Sequence, residues 1–167
     1  DVTGQRQREW ELRLGRFTLD HAQEAIAWIA PDGRIADANQ AMCRALGYSR
    51  EELLALGVPD VDPTISAAAW PEIWEEFKSR GSLSRESRFR RSNGEEFPVE
   101  VNINYLQYNG FQYACVIARD ITERKQAEET LKASEERYRN LFENSAAMVW
   151  TSDLEGNILS LNQTAES

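Results

Sequence analysis

The stretch RRSNGEEFPVEVNINYLQYNGFQYACVIARDITERK, residues 90–125, decides how the rest of the chain is read. From Phe97 onward the odd positions Phe97, Val99, Val101, Ile103 and Tyr105 are apolar, while Glu96, Glu100, Asn102 and Asn104 occupy even ones. A period of two belongs to a β-strand, so this run has one core face and one wet face. Asn93-Gly94 and Asn109-Gly110 punctuate it on either side. Asn-Gly favours tight hairpins because both central residues of a type I′ turn need positive φ, so the three runs around the two pairs are expected to form an antiparallel meander. Pro98 has no amide hydrogen to give, which favours an edge position or a bulge near the start of its strand. At Asp120 the alternation stops and charged residues take over.

Working outward, EAIAWIAPDGRIADANQ, residues 24–40, reads as two short strands, 25–30 and 34–38, joined by a Pro-Asp-Gly turn. Asn39 stands where a helix cap is needed, and QAMCRALGY then closes at Gly47. Ser49 and Glu52 form a Ser-x-x-Glu capping box for another short helix ending at Gly57. The Pro and Asp content of residues 58–69 reads as turns. Pro71 suits the first turn of the helix PEIWEEFKSR, which ends at Gly81 and buries Ile73, Trp74 and Phe77. Nearer the start, Trp10, Leu14, Phe17 and His21 lie alternately four and three apart, a helical seam weakened by Gly15. Beyond Asp120, Ala127, Leu131, Ser134, Tyr138 and Leu141 repeat the same spacing. Glu128 with Lys132 and Glu135 with Arg139 add ion pairs on the exposed face, each worth a few tenths of a kcal/mol.

Composition narrows the function classes. The 167 residues are 41% hydrophobic and 28% charged, enough for one well-formed core with some chain left over. A net charge of −9 repels phosphate backbones and anionic lipid, so neither nucleic acid nor direct membrane contact is expected. No apolar run approaches the roughly 20 residues of a membrane helix, and no signal-peptide pattern opens the chain, which points to a soluble, cytoplasmic segment excised from something longer. Cys43 and Cys115 are 72 positions apart with no CxxC spacing, as suits reduced thiols. A single histidine, His21, builds neither a conventional metal site nor a supported catalytic triad. There is no phosphate-binding glycine loop, and Glu75-Glu76 and Glu95-Glu96 are paired only by adjacency, which turns their side chains apart. The segment is expected to be non-catalytic and to hold no metal.

The chain also echoes itself. LDHAQEAIAWIAPDGRIADANQ, residues 19–40, is matched by LFENSAAMVWTSDLEGNILSLNQ, residues 141–163, with Leu19 on Leu141 and Trp28 on Trp150. After one inserted residue, Gly33, Ile35, Asn39 and Gln40 fall on Gly156, Ile158, Asn162 and Gln163. A second copy therefore begins and stops after two strands, too few to close a core alone.

Four fragments in order, AIAWIAPDGRIADAN, LGYSREELL, ESRFRRSNGEEFPVEVNI and ARDITERKQAEE, resemble the PAS domain family, down to the Asp-Ile-Thr-Glu-Arg-Lys run at its C-terminal end. The resemblance implies an α+β fold, a five-stranded antiparallel sheet with helices on one face, here flanked by N- and C-terminal coiled-coil-type helices. The expected divisions are a linker helix at 1–21, one complete domain at 22–122, a signalling helix at 123–140 and the start of a second domain at 141–167. It implies a sensory module of a larger bacterial signalling protein, a sensor histidine kinase or a cyclic-dinucleotide enzyme, whose effector domain lies downstream in the same chain. A ligand-free dimerisation scaffold is the alternative. A small-molecule ligand would lie between helices and sheet, against Trp28, Leu46, Trp70, Trp74, Phe77, Phe89, Val101, Ile103 and Cys115, all of which also suit an ordinary core. Asp120 and Thr122 would tie the sheet to the signalling helix, with Thr122 as its N-cap. The seams through Trp10, Leu14 and Phe17 and through Ala127, Leu131 and Tyr138 are expected to pair in a parallel homodimer. The Cys43-Arg44 pair comes too early for the flavin-binding motif of light-sensing relatives, and helix 71–80 has no histidine for haem, so no cofactor is expected.

Overall fold

The computed structural model describes residues 2–6, 24–162 and 164. Residues 2–6 are helical, and the seam at Trp10, Leu14, Phe17 and His21 lies outside the described residues. In chain order the elements are β1 (Ala25–Ile29), β2 (Ile35–Ala38), α1 (Gln40–Leu46), α2 (Arg50–Leu54), α3 (Val58–Val61), α4 (Trp70–Arg80), β3 (Ser82–Arg90), β4 (Glu96–Tyr108), β5 (Phe111–Asp120), α5 (Thr122–Glu143), β6 (Trp150–Ser152) and β7 (Ile158–Leu161). They fall into two compact units, Asp1–Thr122 and Glu123–Ser167.

In the first unit, β1 to β5 form one antiparallel sheet in the order β2-β1-β5-β4-β3. The meander read from the alternation is present, and Phe97, Val99, Val101 and Ile103 are buried on its inner face. The second Asn-Gly pair makes the expected turn, with φ of 50° at Asn109 and 79° at Gly110. The first does not. Only Gly94 of that pair is left-handed, while Arg91 N–H donates to the Glu95 carbonyl and Asn93 Oδ1 accepts from Glu95 N–H. Asn93 therefore works through its side chain, and the loop is the longer kind that places a single glycine in the left-handed region. Pro98 is tolerated in a strand paired on both sides because its carbonyl faces Ile121 N–H, just past the end of β5. Its missing amide falls where the ladder has already stopped.

The helices follow their caps. Ser49 and Glu52 exchange both bonds of a capping box at the start of α2, and Gly47 closes α1 in the left-handed conformation. Residues 58–61, read from the sequence as turn, form the short helix α3, because Asp60 reaches back to cap Gly57 N–H at 2.8 Å and Pro59 sits in the first turn. Helix α2 ends at Leu54 with Ala55 as its C-cap, short of Gly57. The buried stripe of α4 is Trp70, Trp74 and Phe77; Ile73 is only partly buried.

One amide joins helix to sheet. Asn39 Oδ1 accepts from Ile26 N–H and from Met42 N–H, both at 2.9 Å, and Nδ2 donates to the Glu24 carbonyl at 2.9 Å. The side chain caps α1 while holding the start of β1, and it is only 2% exposed. The second unit repeats this arrangement. Asn162 Oδ1 accepts from Val149 N–H at 3.1 Å, Nδ2 donates to the Ala147 carbonyl at 2.9 Å, and Asn162 N–H returns to the Val149 carbonyl as Asn39 N–H does to Ile26. The shared pattern corrects the alignment of the repeat. Ala27 pairs with Ala38 as Trp150 pairs with Leu161, and Trp28 pairs with Asp37 as Thr151 pairs with Ser160, so Trp150 stands in the register of Ala27 and not of Trp28. The extra residue lies before the first strand.

Replacing Asn39 with Ala leaves buried backbone groups without partners and removes a helix cap, so it should lower stability by about 2–4 kcal/mol in urea unfolding. Asn39→Asp keeps the accepting oxygen and loses the bond to Glu24, and should fall between. A loss under about 0.5 kcal/mol for Asn39→Ala, the size of an ordinary surface change, would show that the clamp does not hold the fold.

Candidate functional site

Between the helices and the inner face of the sheet lies a cavity of about 50 Å³ with almost wholly apolar walls. Most of the walls follow from strand parity or helical spacing: alternate residues of the five strands face inward, and α1, α3 and α4 cover them. Of the nine residues expected to line it, Leu46, Trp70, Phe77, Phe89, Val101 and Ile103 do so. Trp74 is buried beside the cavity, its ring 6.1 Å from that of Trp70 and 5.9 Å from that of Tyr105. Trp28 and Cys115 are corrections. Ala27 and Ile29 line the cavity, so Trp28 between them points to the other face, where it pairs with Cys115; Val116 takes the inward place on β5. Size and hydrophobicity made Trp28 and Cys115 attractive, but parity decides the face. Burial pushes the Cys115 thiol up from its ordinary value, so it is a poor nucleophile.

Trp70 closes one end. Its Nε1–H donates to the Pro31 carbonyl at 2.9 Å, and its indole lies against Gly33, where an added Cβ would come within 3.1 Å of the ring. Gly33 also has φ of 84°, so the turn between β1 and β2 admits no ordinary side chain at that point.

The two polar members of the lining are Asp62 and Arg85, neither singled out from the sequence. Asp62 is 3% exposed and well supplied: Oδ1 accepts from Thr64 N–H at 3.0 Å and Thr64 Oγ1–H at 2.5 Å, and Oδ2 accepts from Ser87 Oγ–H at 2.7 Å. Arg85 pairs with Val101 across β3 and β4, an inward position, and its guanidinium approaches Asp62 Oδ2 only to 3.8 Å. Its Nε is buried without a hydrogen-bond partner. The sequence did carry a signal for Arg85: it shares the parity of Leu83 and Phe89, so a charge interrupts an apolar face.

A second polar cluster sits at the end of β5. Arg91 donates to the Ala45 carbonyl, reaches Asp120 Oδ2 at 3.2 Å and Glu95 Oε2 at 3.4 Å, and lies 3.8 Å above the Phe97 ring. Asp120 Oδ1 in turn accepts from Thr122 N–H at 2.9 Å and Thr122 Oγ1–H at 2.5 Å. The cap of α5 thus comes from Asp120. Thr122, expected as the N-cap, is the first helical residue and donates to that carboxylate. Asp120 and Thr122 are brought together as expected, whereas Arg91 was missed because its partners are scattered from Ala45 to Asp120. In α5 the seam residues Ala127, Leu131 and Tyr138 are exposed, and Tyr138 stacks on Phe142 at 5.7 Å.

Among the described residues no cluster of His, Cys, Asp or Glu is arranged to hold a metal, and no helix is long and apolar enough to cross a membrane.

A family profile described as PAS domain matches residues 23–123, and a second PAS domain profile matches residues 136–167. The chain belongs to the PAS family. Its PAS region is similar to solved PAS domains, among them one from a two-component sensor histidine kinase (26% identity, TM-score 0.60, 68% of this chain and 98% of that one). Another is the PAS domain of HTR-like protein from Haloarcula marismortui (25% identity, TM-score 0.65, 72% and 98%). Over 163 residues, 95% of the chain, it is 30% identical to Sporulation kinase E of Bacillus subtilis (strain 168), of which it spans 22%. It is 33% identical over 122 residues, 72% of the chain, to the Methyl sulfide methyltransferase-associated sensor of Methanosarcina acetivorans, of which it spans 12%. The chain is a PAS sensor module of the kind found in signalling proteins, and it covers less than a quarter of these relatives.

Removing the Arg91 fork should cost about 1–2 kcal/mol in Arg91→Ala, from the stacking on Phe97 and the bonds to Ala45 and Asp120, discounted for partial exposure. Arg91→Lys should recover less than half of it, since an ammonium has no planar fork. Amide exchange at residues 122–125 should quicken in both variants while β1 keeps its protection. Unchanged exchange there would separate Arg91 from the start of α5.

Proposed function

We propose that this PAS module reports occupancy of its cavity to an effector domain later in the same chain by shifting the start of α5, and that it works as a parallel homodimer. The observation that carries the proposal is the Arg91 cluster. Ala45, whose carbonyl Arg91 holds, immediately precedes the cavity-lining Leu46, and the same guanidinium holds Asp120, whose carboxylate caps α5. A molecule entering the cavity and displacing the end of α1 would move Arg91, and with it the residue from which the helix starts. The ligand-contacting residues in this reading are Leu46, Trp70, Phe77, Phe89, Val101 and Ile103; the coupling residues are Arg91, Asp120 and Thr122.

Relatives named as a sporulation kinase and as Probable diguanylate cyclase DgcE of Escherichia coli (strain K12), the latter 24% identical over 156 residues, support a histidine kinase or a cyclic-dinucleotide enzyme as effector. The PAS module would contribute no catalysis of its own. Thiols, and not a disulfide, at Cys43 and Cys115 suit a cytoplasmic setting. Exposed Leu131 and Tyr138, spaced as a heptad seam, suit a helix that pairs with its copy. The scaffold reading draws on one observation, the small size of the cavity, which large side chains nearly fill.

Insertions between Gln126 and Ala127, in the full-length parent or in a fusion to a kinase of known activity, test the helix as a transmitter. Because seven residues restore the phase of the seam and four displace it, four should change basal output and seven should return it. Equal output at every length would reduce α5 to a tether and favour the scaffold.

A further inference from the structure

We infer that the cavity takes a small neutral molecule with an apolar body and a single hydroxyl or carbonyl oxygen, and that Arg85 Nε–H is the donor that selects it. This rests on the reading of the cavity as a sensing site and specifies its ligand. The walls are apolar apart from Asp62 and Arg85. Asp62 already accepts from Thr64 N–H, Thr64 Oγ1–H and Ser87 Oγ–H. What is missing is an acceptor, since Arg85 Nε is buried and unpaired in the chain alone.

Volume and charge then restrict the class. The cavity measures only about 50 Å³, so it suits a molecule of a few non-hydrogen atoms. Water would find polar partners only at Arg85 and Asp62, and the rest of the volume is bounded by apolar walls that it cannot hydrogen-bond. A carboxylate ligand would bring a second negative charge close to buried Asp62, whose charge Arg85 already faces at 3.8 Å. A neutral oxygen meets the unpaired donor without that repulsion, and a short carbon chain meets the apolar walls. Short-chain alcohols and ketones have this form.

The test is a titration of the isotope-labelled 167-residue chain with 2-butanone, 1-butanol, butyrate and xenon, followed by ¹H–¹⁵N spectra that include the Arg85 Nε–H resonance. Xenon reports an accessible apolar cavity without needing a donor. The expected result is saturable shifts at Val101, Ile103 and Arg85 Nε–H with butanone or butanol, and binding at least about tenfold weaker for butyrate. Arg85→Met should still take up xenon and bind butanone at least about tenfold more weakly. If that variant does not fold, the Nε–H resonance of the unaltered chain decides alone. Xenon uptake with no response to ketone or alcohol overturns the assignment of ligand class and leaves the cavity standing. Absence of both overturns the cavity as a sensing site. Butyrate binding most tightly, or butanone binding that leaves Arg85 Nε–H unmoved, overturns the role given to Arg85.

Discussion

A single buried carboxamide sets the geometry on which everything else in the first unit depends. Asn39 must satisfy two amides and one carbonyl at once, and it can do so only if α1 starts where β2 ends and if β1 passes at the correct height. An apolar residue imposes no such condition, because apolar burial has no direction whereas a hydrogen bond weakens steeply once donor and acceptor are misaligned. Once α1 is fixed, Met42 and Leu46 cover the inner face at a set height, and the cavity beneath them follows. The clamp is thus a specificity device first, with stability as a by-product of its being fully paired.

The cavity and the end of β5 are joined by a different kind of chemistry. Walls made of Leu, Val, Ile and Phe close up or open by small repacking, without direction. Arg91 gives such a displacement a direction, because a planar guanidinium bonded to Ala45 and Asp120 and seated on Phe97 cannot follow one partner without leaving another. Apolar and polar parts therefore divide the work. In the proposed function, one would sense volume, and the other would turn a change of volume into a change of position at a helix start.

Much of this was legible in the residue order. The alternation from Phe97 to Tyr105, the capping box at Ser49, the cap at Asn39 and the turn at Asn109 act between neighbours in the chain, and local rules read them. What escaped acts across distance. Trp28 and Cys115 were placed in the cavity because they are apolar and near it, yet a strand sends neighbours to opposite faces, and only the pairing of Trp28 with Cys115 shows which face they share. The tryptophans of the repeat were matched by identity, while the backbone matches Trp150 to Ala27. Arg91 was unremarkable among the arginines at 85, 88, 90 and 91, since nothing local distinguishes the one that finds Ala45 and Asp120. Pro59 and Asp60 suit a turn as well as a helix start, and the backward reach of Asp60 to Gly57 settles the choice.

The two asparagine clamps show how such a module can diversify. Asn39 and Asn162 hold equivalent backbone groups, yet the residue next to the clamped amide differs, Ala27 in one unit and Trp150 in the other. A register set through backbone atoms does not depend on which side chain stands beside the clamp. After a duplication, substitutions beside the clamp would therefore alter what each copy recognises while leaving its strand register in place. Tandem copies would be free to become receptors for unrelated molecules, with one inherited framework serving both.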